Sequence, residues 1–470
     1  MSMKKTVMLS VLAAALSTSA AVSVSSTVSA AEAKSANVQI QSFTLFVNDE
    51  SKTVRVINYN GAKLVSVRDV GRAAGAMFGV EANGSINVYF EDRTIQLTDS
   101  SNVAIVDGEA LQLQSPVVNV KNSFFIELDG FLEALGVEQE IDSQGQVWVD
   151  AGKRLLDVEN PHWIKGGSLI VSTLTDEGRI DYKLNAATGE FAELFRTEGA
   201  SDLVIAPGGS KAAYTDESGS IYVLDLESKS STQVSADSSI KPELVWAADE
   251  SAIYFLQGDK GSVIAKLDLG ERKISKVLED KVDYKADLAV SADGKQFYYT
   301  VIKPGAVTAD SNQPVDMDDV TIDMSGTEPQ VYTYNSSEKD AKPVKLTSTS
   351  DDKVFVGAAA DGSKAFFINI EDNKPSSLVS VAKDQSAKTI IGDKDVAQAV
   401  MAGDKLFVLA EEGAGQAIYE VDAAAGSVKK LYSVSADVTD VIATSAEQIA
   451  IVQDGQVLVN NNGKWKKLTK

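Results

Sequence analysis

"SADGKQFYY" (residues 291–299) is a tight turn running into an alternating, β-rich strand. Asp293-Gly294 supplies the positive φ that a hairpin turn requires, and the aromatic residues that follow favour a pleated, half-buried surface. The same phrase recurs as "KGGSLIVST" (165–173), "PGGSKAAYT" (207–215), "AADESAIYF" (247–255), "AADGSKAFF" (359–367), "MAGDKLFVL" (401–409) and "SAEQIAIV" (445–452). The interval is about 41–44 residues, with one longer step of about 68, which is the period of a four-stranded repeating unit. After the turn and its strand come a third strand, such as "SIYVLDLES" (220–228) or "AIYEVDAAAG" (417–426), and a fourth, such as "VKKLY" (428–432). An array of separate sandwiches would not keep one turn at one phase. The spacing predicts a β-propeller over 155–470, with seven turns implying seven blades and six or eight left open. Tyr214, Tyr254, Tyr298 and Phe366 recur just after the turn and read as packing between neighbouring blades.

A second repeat lies nearer the N-terminus. "LVSVRDVGRAAGA" (64–76) and "FFIELDGFLEALGV" (125–138) each run from a strand into a short helix that stops at a glycine. Leu64, Val67, Ala73 and Gly75 fall on Phe125, Leu128, Ala134 and Gly136 at a constant offset of 61, and Ile86-Asn87-Val88 falls on Val147-Trp148-Val149. Gly75 and Gly136 stand where a left-handed helix stop belongs, Asp129 reads as the N-cap of the second helix, and Phe131, Leu132 and Leu135 share its apolar face. Asn83-Gly84 and Asp107-Gly108 mark hairpins. Each copy is strand, short helix, hairpin, too small to bury its own apolar face. Two copies would therefore pack as one α+β domain over 38–150. The expected fold class is mainly β, a seven-bladed propeller preceded by this small duplicated domain.

The duplicated segment resembles the copper amine oxidase N-terminal-like domain, a stalk module of secreted proteins in spore-forming Gram-positive bacteria. Asn60-Gly61-Ala62-Lys63-Leu64-Val65-Ser66-Val67-Arg68, its counterpart Asn122–Asp129, and "AIVDGEALQLQSP" (104–116) carry the likeness. Ser66 and Glu127 replace the motif's proline, and Val80-Glu81 and Ile141-Asp142 replace its Trp-Asp. The resemblance implies a spacer or docking module. It does not imply amine oxidation, which in that family resides in another domain and needs three copper-binding histidines and a cofactor tyrosine. This chain has one histidine, His162, and Asn58-Tyr59-Asn60 reads as a strand end before a glycine turn. The repeat pattern from 155 onward is similar to TolB-like propellers that bacteria export, which speaks to fold alone, since propellers host binding platforms, lyases, lactonases and hydrolases.

The first 30 residues read as a signal peptide: Lys4 and Lys5, the apolar run "VMLSVLAAAL" (7–16), and Val28-Ser29-Ala30 as a small-x-small cleavage site. The apolar run is shorter than the roughly 20 residues a membrane span needs. The expected location is secreted or cell-wall associated, with no transmembrane anchor in the mature chain. The chain lacks cysteine, which excludes disulfides and thiolate metal sites. Removing residues 1–30 takes away two lysines and no acid, so the net charge moves from −23 to −25. Such a surface repels phosphate backbones, so nucleic acid is not expected as a partner.

Chemistry is harder to find. The long interval holds an insert, 303–329, between the second and third strands of its blade, on the face that also carries the blade-to-blade crossovers. Asp310, Asp316, Asp318, Asp319 and Asp323 make it acidic. It reads as a solvated loop, with a calcium site as the alternative, since the spacing lacks the order of a calcium-binding loop. No nucleophile elbow, zinc-protease helix or phosphate-binding loop is present in the sequence. His162 reads as a packing or linker residue beside Trp163 at the propeller's entry. No catalytic, cofactor-binding or metal-ligating residue is therefore assigned. The reading leans to a non-enzymatic exported protein whose stalk presents a propeller that binds a protein or cell-wall glycan, with engagement expected on the insert's face. The alternative is a propeller hydrolase or lactonase using carboxylates, with calcium if any cofactor. Acids converging from several inner strands would favour the enzyme, and a channel of Ala, Val and Ser would favour binding. "LAV" (288–290), "VGAA" (356–359), "AVMA" (399–402) and "VIAT" (441–444) read apolar and small.

Overall fold

A computed structural model describes residues 38–48, 50–142, 144–309, 320–461 and 463–470. The expected signal peptide and Asp310, Asp316, Asp318 and Asp319 lie outside them. The chain divides into two compact units that meet between Ala151 and Gly152.

In the first unit the two repeats meet in one sheet. Strands Ala62–Ser66 and Ser123–Glu127 pair antiparallel with Val65 opposite Ile126, Ser66 opposite Phe125 and Leu64 opposite Glu127. Val65 and Ile126 are equivalent positions of the two copies, so a local twofold passes between them. These strands lie within a seven-stranded sheet whose neighbours are antiparallel except for Ile40–Val47 against Val147–Asp150. A second, five-stranded sheet runs from Met77–Val80 to Glu109–Gln112. Helix α1 (Val67–Ala74) and helix α2 (Leu128–Leu135) both end at left-handed glycines, Gly75 at φ 94° and Gly136 at φ 69°. Val67, Val70, Phe131, Leu132 and Leu135 enter a single core drawn from both copies. That shared core is why neither copy stands alone.

The residues that replace the motif's proline are the two N-caps. Ser66 Oγ accepts from the Asp69 amide at 3.3 Å, which satisfies an otherwise orphaned helix donor. Glu127 occupies the cap of α2 without a side-chain cap bond, and its carboxylate accepts from the amides of Gln114 at 2.7 Å and Ser115 at 2.9 Å. Asp129 is not the cap, contrary to the sequence reading. Extended backbone persists through Glu127, so Asp129 falls inside the first turn, where its charge suits the helix dipole and its Oδ1 accepts from Gln139 Nε2.

The second unit is a β-propeller. Among the described residues it contains seven successive four-stranded sheets, at 158–197, 204–235, 244–279, 285–345, 352–391, 396–434 and 438–467, referred to below as blades one to seven. Each is an antiparallel meander of consecutive strands. Blade four alone interposes a separate hairpin, Ala306–Ala309 with Val320–Asp323, between its second and third strands. Seven apolar clusters fill the seven seams between neighbours, the last joining blade seven to blade one through Trp163, Leu169, Ala450, Val457 and Leu468. Trp163 Nε1 donates to Ile442 O across that seam at 3.1 Å, and the Lys470 amide donates to Leu155 O. The ring thus closes by packing and single bonds, with no strand shared between its first and last blades among the described residues.

The post-turn aromatics do pack between blades, but not as one uniform set. The third residue of the second strand is Tyr254, Tyr298, Phe366 and Phe407 in blades three to six, and Ile170, Ala213 and Ala450 in the others. Tyr214 sits one residue later. Because the pleat alternates faces, it packs against Ile164 and Ile170 of the preceding blade, whereas Tyr254 packs against Phe297 of the following one. Tyr298 Oη donates at 2.8 Å to Gly362 O in the next blade's turn.

Candidate functional site

In a four-stranded meander the connection between strands two and three lies at the same end as the crossover to the next blade. That end therefore carries the longest and most variable loops, and long polar side chains hold it together. Lys241, whose side chain is fully buried, donates to Gly219 O, Asp237 O, Asp237 Oδ1 and Ser239 O, each at 2.8 Å. Lys285 does the same one blade on, reaching Ser262 O at 2.9 Å and Asp280 Oδ1 at 2.7 Å. Arg179 bonds Ser201 O and Asp202, and Gln416 Nε2 bonds Ala436 O and Val438 O. Each tethers a crossover, satisfying loop carbonyls that burial would otherwise leave unpaired. No sequence motif announces these residues, because their spacing to the loop they hold differs from blade to blade.

The inner strands divide by depth. Opposite the third residue of each second strand stand Val204, Val245, Ala289, Gly357, Val400 and Ile442, all half-buried, with the exposed His162 as the one polar member. This level agrees with the apolar, small reading of the inner strands. Nearer the crossover end, every blade carries a carboxylate on or just before the start of its inner strand: Glu159, Asp202, Glu243, Asp287, Asp352, Asp395 and Asp440. The apolar reading overlooked this ring because the acids fall in or beside the crossovers, outside the alternating strand pattern.

Two groups on or beside the inner strands have perturbed protonation, Glu243 of the carboxylate ring and His162 of the apolar level. Burial pushes the Glu243 carboxyl up to about 7; the Leu288 amide, donating to Oε1 at 2.8 Å, opposes this, and the Asp287 charge reinforces it. Asp287 in turn accepts from Thr300 Oγ1 at 2.6 Å. His162 lies on the inner strand of blade one with its ring still in contact with solvent. The protein packed around it lowers its pKa, while the Asp202 and Asp181 charges pull upward. Ser172 Oγ donates to Asp181 Oδ1 at 2.6 Å, and Arg179 Nε lies 3.2 Å from the same carboxylate. The serine is thus committed to the aspartate in a structural ion-pair network.

Of the insert's acids, Asp323 is among the described residues, and its Oδ1 accepts from the Ser325 amide at 2.9 Å, an ordinary turn bond. Among the described residues no three His, Asp or Glu side chains are grouped closely enough to hold a metal ion. Between blades five and six, on the same crossover end, a cleft of about 520 Å³ opens between Val354, Ile370 and the Gly413–Ala414–Gly415 turn, with Asp395, Gln398, Glu411 and Gln416 on its walls. No helix among the described residues is long and apolar enough to cross a membrane.

These features define a β-propeller preceded by a small α+β unit. The family model described as copper amine oxidase N-terminal domain matches residues 46–149, within the first unit. No curated protein matches the chain. Among solved structures, the chain is similar to the β-propeller domain of the Trilobed protease from Pyrococcus furiosus, with 14% identity over 67% of this chain and 95% of that one and a TM-score of 0.44. It is also similar to an oligogalacturonate lyase from Vibrio parahaemolyticus, with 12% identity over 68% and 87% of the two chains and a TM-score of 0.46. A puromycin-hydrolyzing peptidase from Mycobacterium tuberculosis gives 12% identity over 67% of this chain and 54% of that one, at a TM-score of 0.47. These are likenesses of fold.

Proposed function

We propose that the protein is an exported binding scaffold, in which a stalk-type module is joined to a propeller that engages a protein or cell-wall glycan through its crossover end. The observation that supports this most is the half-buried level of Val204, Val245, Ala289, Gly357, Val400 and Ile442 around the inner strands. These six residues offer contact surface and no group able to transfer a proton or attack an electrophile, and His162 is the one titratable member of the level. The reading assigns no cofactor. It takes residues 1–30 as a cleaved signal, so N-terminal sequencing of exported protein should begin near Ala31.

One observation favours a second reading. Burial raises the Glu243 carboxyl to about 7 beside Asp287, an environment from which a carboxylic acid can act as general acid. The test sets both readings against each other. The purified chain is titrated with peptidoglycan fragments and a peptide library, and assayed on glycoside and lactone substrates. Saturable binding without turnover is expected. Turnover that Glu243→Gln abolishes would replace the scaffold by the hydrolase.

A further inference from the structure

We infer that the cleft between blades five and six takes an extended peptide segment carrying a lysine or arginine beside aliphatic residues. This rests on the scaffold reading and names the chemistry of its partner. Two depressions adjoin, sharing Asp395, Glu411 and Gly413, and run from the inner strand of blade six outward to the Asn373–Pro375 loop. An elongated groove fits a length of chain better than a compact molecule. Its inner part is aliphatic and open: Val354 is 51% and Ile370 39% exposed, high values for such side chains on strands of a folded sheet.

Its polar groups ask for donors. The two lysines in the outer part each face a carboxylate, Lys374 the hydrogen-bonded Glu371 and Lys394 the exposed Asp393 at 3.8 Å. The Glu411 carboxylate has no hydrogen-bond or ion-pair partner among the described residues, and Asp395 Oδ1 accepts only from the Ser376 amide at 2.7 Å. Gln416, on the cleft wall, is 9% exposed. Its amide nitrogen is fixed by Ala436 O and Val438 O, which leaves Oε1 buried and without a partner. An unpaired buried acceptor is costly, and this one belongs to a residue of the cleft wall. Two carboxylates and an orphaned acceptor beside an aliphatic floor are complementary to an ammonium or guanidinium on a peptide with apolar neighbours. No aromatic side chain lines either depression, so the stacking platform that a sugar ring would use is not supplied here.

The experiment is calorimetric titration of the full chain with synthetic six-residue peptides in which one Lys or Arg is flanked by Val, Ile or Leu. The controls are the same peptides with Glu in place of the base, and free lysine and arginine. Basic peptides should bind and weaken as salt rises through the screening range. Glu411→Gln, an exposed change, should weaken them by roughly three- to tenfold. Ala414→Trp, which fills the cleft, should abolish binding while the thermal transition stays in place. Equal affinity for the Glu-containing peptides, or free lysine or arginine binding as tightly as the peptides, overturns the inference. If the wild type binds a glycan or an acidic library member elsewhere and ignores basic peptides, the inference fails and the scaffold reading stands. If the chain binds nothing and turns over a substrate, the scaffold reading fails with it.

Discussion

Glu243 shows how one residue's surroundings set its chemistry. Its carboxyl is raised from 4.5 to about 7 chiefly by burial. Below pH 4.5 folded and unfolded chains both hold the proton. Between 4.5 and about 7 the unfolded chain releases it first, so stability falls as pH rises through that window and is flat above it. Glu243→Gln keeps an acceptor for the Leu288 amide and removes the titration. It should therefore be neutral at pH 4.5 and stabilising at pH 8 by roughly 2–3 kcal/mol, a rise of several degrees in the thermal midpoint. Equal midpoints at pH 8 would show that the carboxylate ionises freely. The single histidine gives a second readout, one imidazole signal in an NMR titration of the untagged chain. His162 should titrate below its ordinary 6.5, and Asp202→Asn should lower it further by removing the larger of the two opposing charges.

At the scale of elements, a recurring local problem has different side-chain answers. A crossover that turns back beneath the next blade buries carbonyls, and Lys241, Lys285, Arg179 and Gln416 each meet them from a different position. Lys241→Met should cost about 3 kcal/mol or more, because the Gly219, Asp237 and Ser239 carbonyls lose the buried ammonium that pairs them. Lys276→Met, which removes an exposed pair with Glu279, should cost less than about 1 kcal/mol. Urea denaturation of the two variants compares them, and similar losses would mean that the buried cage contributes nothing. The α+β unit makes the same point. Its helix stops were legible as glycines because a left-handed stop favours one residue type. Its N-caps were not, because Ser66 caps its helix through its hydroxyl whereas Glu127 at the equivalent position binds the loop amides of Gln114 and Ser115 instead.

At the scale of the whole molecule, the ring depends on its closing seam. Leu468 is fully buried against blade one's Leu169 and Val171, and no shared strand reinforces that junction. Leu468→Ala should cost about 2–5 kcal/mol and should broaden or split the propeller's calorimetric transition as the seam opens first. A small, still-cooperative shift would show the seam to be no weaker than its neighbours. The insert should behave in the opposite way. Its described strands pair only with each other, so they add little to the ring. Replacing 303–329 by a short glycine-containing turn should leave the thermal midpoint within about 1 °C, since an exposed loop buries little apolar area. A loss of several degrees would place the insert in the propeller's structural core.

The sequence by itself determined what local rules control. Tight polar turns at one phase, strands alternating with period two and glycines at two helix ends fix the repeats, because each is a requirement of the backbone within a few residues. The 61-residue offset likewise foretold a shared core, and the structure adds the twofold pairing of Val65 with Ile126. Only the tertiary structure decided the crossover end. The seven carboxylates there are 41–65 residues apart in the chain and come to one end only when the ring closes, and the raised Glu243 carboxyl follows from burial that no local pattern encodes. The cleft is of the same kind. Val354 and Ile370 read as ordinary strand residues, and Gln416 as an ordinary polar one. Their exposure and its unpaired oxygen arise from how blade five meets blade six, a packing decision made between elements and not within them.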